Sequence, residues 1–405
     1  MKDRQVAEPA VIETPSRMEP CLLSSPSYEV IDLVTELTRA AEALGSRLPR
    51  RPAENLADLV RIMNCYYSNL IEKHTTTPRE IEQALDNQFD ADESRRNLQI
   101  EARAHIRLQR EIDRRYAAGS LPEPTSVDFI NWLHASFYEG ATDAMLVVRS
   151  GNREIRMTPG VMRNSAGEDV EVGRHIPPPS DRVAAFMDHF SERYRMTRLG
   201  VGGRIMAIPA AHHRFNFIHP FIDGNGRVSR LMAHAMALHA GIGAHGLWSV
   251  SRGLARGIES RTEYKLMMAH ADTVRQGDLD GLGNLSERAL TEFTIWFLRV
   301  CLDQVSFMTR IFELDTLASR LRAYVVERGL PTETIYLLEY ALTHDDIPRG
   351  EVAAITRMRE RTARNLLGAV TRDGILRSDT PKGPISLRFP VGSADILFPT
   401  LFGSA

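Results

Sequence analysis

The sequence is poor in cysteine. Cys21, Cys65 and Cys301 are the only three in 405 residues, and no two have metal-ligand or redox spacing, which excludes a disulfide scaffold or a Cys-based zinc site and predicts reduced thiols in a reducing compartment. Long apolar runs are absent. The nearest, Phe293 to Leu302, is interrupted by Arg299, whereas a membrane span needs ~18 apolar residues. The N-terminal twenty residues alternate charge with proline and contain no continuous apolar stretch, so no secretory leader is expected and the chain reads as cytoplasmic. An excess of one charge is lacking too: 50 basic against 52 acidic side chains give −2, so no global field drives the protein onto nucleic acid or an anionic membrane. What remains is ordinary globular material, 43% apolar and 25% charged. The length predicts two or three domains.

Residues 1–27 carry four prolines and few large apolar side chains, and read as a weakly ordered tail. Residues 28–118 read as a helical region. Leu56, Leu59, Val60, Met63, Tyr67, Leu70 and Ile71 recur at three and four. A capping box at Thr77-Pro78-Arg79-Glu80 requires the preceding helix to end near Lys73. Residues 119–330 form a helical core interrupted between 145 and 179 by short β-like runs, which predict a hairpin flap. Residues 331–405 read as three short helices followed by a strand-turn-strand, the pattern of a winged helix-turn-helix domain. The fold class expected is therefore mainly α.

One stretch concentrates chemistry: His219-Pro220-Phe221-Ile222-Asp223-Gly224-Asn225-Gly226-Arg227-Val228-Ser229-Arg230. Gly224, Asn225 and Gly226 tolerate the positive φ that turns consecutive backbone N–H groups toward one anion. The following helix adds the positive end of its dipole. Arg227 and Arg230, three apart, share a helix face and can clamp further phosphate oxygens. Asp223 is a hard oxygen ligand placed for Mg²⁺. His219, with a pKa near neutrality, is suited to take a proton from a hydroxyl attacking a bound phosphoanhydride. The lysine of a Walker loop is missing.

This segment resembles, at every specified position, the signature of the Fic (filamentation induced by cAMP) family, and the resemblance extends over roughly Tyr28 to the C-terminus. It implies adenylylation, the transfer of AMP from ATP to a protein hydroxyl. It also implies His219 as general base, Asp223 as Mg²⁺ ligand, Gly224-Asn225-Gly226 as anion hole, and Arg227 and Arg230 as β/γ-phosphate clamps. Glycine at 226 argues against the family's Doc-type phosphotransferases, which tend to have lysine there. In the same terms Val170 to Pro178 resembles the flap that registers a target segment as an added strand. Within it Val172, Gly173 and His175 are candidate nucleotide neighbours, His175 being equally readable as an exposed loop residue. Tyr264 falls where the family often places an aromatic near adenine, with core packing as the rival reading.

Ser68-Asn69-Leu70-Ile71-Glu72-Lys73 resembles the family's inhibitory motif, Ser/Thr-x-x-x-Glu-Gly/Asn. Ser68 and Glu72 share a helical face, and a carboxylate at a helix C-terminus opposes the dipole. A pair with Arg230 would offset that and deny the γ-phosphate its clamp. Lys73 departs from the motif: it either pairs with Glu72 and weakens the lock, or complements the helix end. Between 349 and 388, nine basic side chains face four acidic ones, and Arg357, Arg361 and Arg364 are candidate DNA contacts, although winged helices also dock proteins. The C-terminal domain is expected to be dispensable for self-modification, so a chain ending near Leu330 would still label itself.

The sequence thus predicts an autoinhibited protein adenylyltransferase, with ATP as co-substrate, Mg²⁺ as cofactor and an unidentified hydroxyl-bearing target protein. A homodimer is compatible with this reading. Two others stay open: a DNA-binding regulator with a nucleotide-sensing core, and an enzyme that removes AMP at the same site. Asp278 to Gly283 has no calcium-loop spacing and reads as a turn capping the helix that begins near Ser286.

Overall fold

A computed structural model describes residues 13–150 and 153–403. Helices dominate it. The N-terminal region holds α1 (Tyr28–Gly45), α2 (Arg50–Ile71), α3 (Pro78–Leu85) and α4 (Glu93–Ala117). The capping box forms as expected: Thr77 and Glu80 exchange side chain-to-backbone bonds at the start of α3. Helix α2 then ends by putting Lys73 at φ 65°. His74 N–H donates to Asn69 O at 2.9 Å and Lys73 N–H to Leu70 O at 3.0 Å, the paired bonds of a Schellman termination. The residue after Glu72 must therefore be left-handed, a conformation that glycine and asparagine adopt more readily than lysine.

The central region comprises α5 (Val127–Phe137), β1 (Val147–Ser150), β2 (Arg153–Arg156), α6 (Val183–Arg193), α7 (Val201–Ile218), α8 (Asn225–His239), α9 (Val250–Arg256), α10 (Glu263–His270), α11 (Glu287–Ile311) and α12 (Leu314–Glu327). Helix α7 packs along α8, and α11 lies between α1 and α7, so α7 and α8 are buried on nearly all sides. Their sequences show it: Ile205 to Ile218 and Val228 to Leu238 are almost wholly buried. Asp280 and Ser286 cap α11, with Ser286 Oγ accepting from Ala289 N–H, as expected of a turn and not a calcium loop.

The hairpin expected between 145 and 179 forms from its first two runs, as β1–β2 with Val148 opposite Ile155, and the third run forms no strand. Residues 170–178 contribute only a tight turn, in which Val172 and His175 exchange both backbone bonds at 3.0 Å around Gly173 at φ 64°. Three prolines after Ile176 end the pairing.

The N-terminal tail also needs correction. Its first twelve residues lie outside the described ones, but residues 13–27 are docked: Met18 and Cys21 are fully buried, Tyr194 donates to Cys21 O at 2.7 Å, and Arg214 to Pro20 O at 3.0 Å. Met18 and Cys21 anchor a segment whose prolines suggested disorder.

The C-terminal elements are α13 (Thr334–Thr343), α14 (Val352–Thr356), α15 (Glu360–Asp373), β3 (Leu376–Arg377), β4 (Ser386–Leu387) and α16 (Ala394–Leu397). They pack on α12 and along α2. Asn55 Nδ2 on α2 donates to Leu387 O at 2.7 Å, and Tyr67 to Leu401 O at 3.2 Å.

Candidate active site

The loop between α7 and α8 carries the signature residues. Helix α7 stops because His219 adopts φ 51°, ψ 60°, a left-handed conformation that costs an L-residue ~1–2 kcal/mol. Gly224, also left-handed at φ 82°, caps α8 without any side-chain capping bond. The first N–H groups of α8 are therefore free to face an anion. A Cβ at Gly224 would lie 2.9 Å from the Tyr138 hydroxyl, so glycine is required by space as well as by φ. Asn225 spends its side chain on the loop, accepting from Phe221 N–H at 2.9 Å and donating to Phe221 O at 2.8 Å.

Asp223 is held from two sides. Its Oδ2 accepts from Tyr138 at 2.9 Å and from Arg227 at 3.0 Å, while its carboxylate stays about half exposed. Burial would raise its pKa, but Arg227, the Gly224 backbone and Tyr138 hold it below the usual carboxylate range. The ring of His134 stacks on Phe221 at 3.9 Å. It accepts from Gly160 N–H at 2.8 Å, which leaves Nε2 to donate to Asp223 O at 3.2 Å. Arg227 pairs through its terminal nitrogens with Glu101 at 2.7 Å and with Asp223, over the Phe137 ring at 4.7 Å, while its buried Nε has no partner among the described residues.

Arg230 is tied to the end of α2. Its Nε donates to Ser68 Oγ at 2.9 Å, and its Nη2 to Glu72 Oε1 at 2.7 Å and to Ser68 O at 3.3 Å. The guanidinium is 1% exposed and the Glu72 carboxylate 32%. Burial raises the Glu72 pKa, yet the Arg230 charge and bond, with Arg227 behind, bring it below its ordinary value. A Cβ at Gly226 would overlap the Glu72 carboxylate, so this glycine admits the acid. No ion pair joins Lys73 to Glu72; of the two roles open to Lys73, pairing with its neighbour is not adopted.

His219 is neutral at physiological pH. Burial pushes its pKa down to about 4, with Arg163 adding to the effect and the Asn216 carbonyl opposing it. Tyr264 is mostly packing: buried, with its hydroxyl 2.8 Å from His212 Nε2 and its ring stacked toward Trp296, and burial raises its pKa to about 12. It also forms part of the wall of a cleft of about 240 Å³ with Tyr66, Leu70, Lys73 and Lys265. His175 is not a free loop residue. Its Nε2 donates to Phe217 O at 2.7 Å, which leaves Nδ1 3.4 Å from Asp272. Val172 and Gly173 are exposed beside it, and Arg357, Arg361 and Arg364 lie apart in the C-terminal elements, all exposed.

Residues that the sequence reading missed are Tyr138, His134, Glu101 and Arg163. None sits in a motif; Arg163 lies 56 residues from the His219 carbonyl to which it donates. The only sequence signal for Arg163 is a lone arginine inside the weakly patterned flap region.

The family model for the Fic/DOC family matches residues 124–237, from α5 through α8. That segment is a Fic domain. Over 72 residues, 18% of the chain, it is 38% identical to the protein adenylyltransferase Fic of Drosophila erecta and 35% identical to that of Aedes aegypti. It spans 14% of the length of either. Among solved structures, a Fic family protein from Desulfovibrio desulfuricans superposes with a TM-score of 0.52 at 18% identity, covering 90% of this chain and 98% of that one. A Fic domain-containing signaling protein from Bacteroides thetaiotaomicron gives 0.50 at 16% identity, covering 68% and 95%. Fic-fold similarity therefore reaches beyond the matched domain, and the expected mainly α class holds.

Proposed function

We propose that this Fic-domain protein is a protein adenylyltransferase that uses ATP and is held inactive by Glu72. The observation that carries the reading is the Arg230–Glu72 pair at 2.7 Å beside the uncapped N-terminus of α8: one phosphate-clamping arginine is occupied by a carboxylate where a γ-phosphate would bind. In the reaction, neutral His219 takes the proton of the target hydroxyl. The hydroxyl oxygen then bonds to the α-phosphorus, the bond from that phosphorus to the β-bridging oxygen breaks, and pyrophosphate leaves. The donors of the α8 N-terminus hold the phosphate oxygens on which charge develops. Arg227, already balanced by Glu101 and Asp223, supports Asp223 and the loop more than it waits for ligand.

The residues fit a hard divalent cation. Asp223 offers a half-exposed carboxylate with one oxygen already oriented by Tyr138 and Arg227, and phosphate oxygens and water would complete the set. Bound Mg²⁺ would neutralise phosphate charge. The exposed turn at Val172 and Gly173 is the proposed register for a target segment, and the Tyr264-lined cleft the proposed space for the base. The exposed Arg357, Arg361 and Arg364 support DNA contact by the C-terminal helices, which a salt-titrated gel shift tests. The decisive experiment incubates the protein and its Glu72→Gly variant with α-labelled and γ-labelled ATP. Label from α alone, lost in His219→Ala, is expected; label from γ alone would replace AMP transfer with phosphoryl transfer.

A further inference from the structure

Arg163 is the most completely engaged charged side chain near the signature loop. It is fully buried. Its Nε donates to His219 O at 2.8 Å, and its Nη2 to Ile218 O at 2.9 Å and Pro178 O at 2.6 Å. Its Nη1 donates to Ser180 Oγ at 3.0 Å, and its backbone N–H reaches Pro220 O at 2.9 Å. One residue thus holds three consecutive carbonyls, 218 to 220, where α7 breaks and its C-terminal dipole end favours a cation. The other side of the same guanidinium holds the end of the Val172–Pro178 turn. Asp169 completes the frame, accepting from Ser180 N–H at 2.8 Å and Ser180 Oγ at 2.7 Å.

Resting on the adenylyltransferase reading, we propose that Arg163 is a positioning residue: it locks the left-handed backbone of His219 and fixes the distance between that base and the turn on which a target segment would register. A planar fork explains why arginine is used. Its donors leave in fixed directions, which a lysine ammonium cannot reproduce. Arg163 makes no contact with Asp223, Arg227 or Arg230, so its effect should fall on placement of the incoming hydroxyl and not on nucleotide affinity. The charged and titratable groups acting on His219 are Arg163, His175 and Asp223. Arg163 is therefore also the fixed positive charge that disfavours an imidazolium there.

Two variants separate these contributions in the full-length chain. Arg163→Lys keeps the charge and loses the fork. It should lower kcat for transfer to target or self by on the order of 10²-fold, the size expected for ångström-scale misplacement. The KM for ATP and the rise in melting temperature on adding ATP should match the wild type. Arg163→Met loses both charge and fork, and NMR titration of labelled histidine, with His219→Ala for assignment, should find His219 titrating higher than in the wild type or in Arg163→Lys. Should Arg163→Met fail to fold, Arg163→Lys and Ser180→Ala carry the test, with the same loss of kcat at unchanged KM. A purely structural arginine would lower the melting temperature and leave kcat within twofold, and that result overturns the proposal; so does a KM for ATP that rises as much as kcat falls. Activities are compared in the Glu72→Gly background, where the lock is released; if neither the wild type nor Glu72→Gly transfers α-label, the adenylyltransferase reading fails, and the histidine titration still decides whether Arg163 governs His219.

Discussion

Replacing Glu72 with glycine should switch the protein on, and the structure sets the scale. The acid and Arg230 meet at 2.7 Å, one partner almost wholly buried and the other one-third exposed. A hydrogen bond between charged groups contributes about 1.5–3 kcal/mol when shielded, and partial exposure of the carboxylate discounts that to about 1–2 kcal/mol. Freeing Arg230 by that amount raises its availability to a γ-phosphate about 5–30-fold. Self-labelling from α-labelled ATP at limiting ATP should rise by the same factor. The gain should persist at saturating ATP, because the pair misaligns the triphosphate as well as competing with it. Arg230→Ala combined with Glu72→Gly should cancel the gain, since removing the acid helps only while its partner remains. Without nucleotide, Glu72→Gly should melt lower than the wild type, because it strands a buried guanidinium that keeps its bonds to Ser68 but loses its counter-charge. ATP should restore more of that loss than it adds to the wild type. Equal labelling by wild type and Glu72→Gly at every ATP concentration would remove Glu72 from regulation.

Lys73→Gly relieves a left-handed residue at φ 65° and should stabilise the fold by about 1 kcal/mol in chemical denaturation, without raising self-labelling, since Lys73 does not pair with Glu72. Acid should destabilise the protein through its buried histidines: burial lowers His105 and His212 from 6.5 to about 3, and His134 and His219 to about 4. Their contribution is complete above pH 6.5 and is lost as pH falls toward 4, because the unfolded chain then binds more protons; each accounts for up to about 1.4 kcal/mol per pH unit in denaturant titrations. A chain ending at Leu330 should still label itself but melt lower, because it loses the bonds from Asn55 and Tyr67 to residues 387 and 401 and the Tyr66–Phe402 ring contact at 5.9 Å; Phe402→Ala, which loosens the end of α2, should raise self-labelling toward that of Glu72→Gly.

What the residues alone revealed of the site interacts over a few positions, whereas the Arg230–Glu72 pair, 158 residues apart, was legible only through the resemblance. The capping box at Thr77–Glu80, the helix end near Lys73 that it requires and the glycine cradle before α8 are all closed within one or two helical turns. Their residue types are dictated locally, so they could be read locally. The partners that escaped are distant in the chain. Glu101 meets Arg227 across 126 residues, Tyr138 meets Asp223 across 85, and Arg163 meets His219 across 56. A buried arginine or tyrosine of this sort looks, in sequence, like any exposed one.

The docked tail and the displaced flap show the same limit from the opposite direction. Prolines at 15, 20 and 26 argue against regular structure, and correctly, but they do not argue against burial. Met18 and Cys21 are fully buried, and the Cys21 and Pro20 carbonyls accept from Tyr194 after α6 and from the buried Arg214 on α7, so an irregular segment becomes part of the core through two apolar anchors and two backbone acceptors. In the flap, alternation over 169–173 suggested a strand, yet a strand needs a neighbour. Only Val172 and His175 find each other, leaving Val172 exposed and His175 pinned to Phe217 and Asp272. The turn is held at its base by Arg163, which donates to Pro178 O at 2.6 Å, and is exposed at Val172 and Gly173, so a segment read as a strand is shaped by one distant side chain and not by a neighbouring strand.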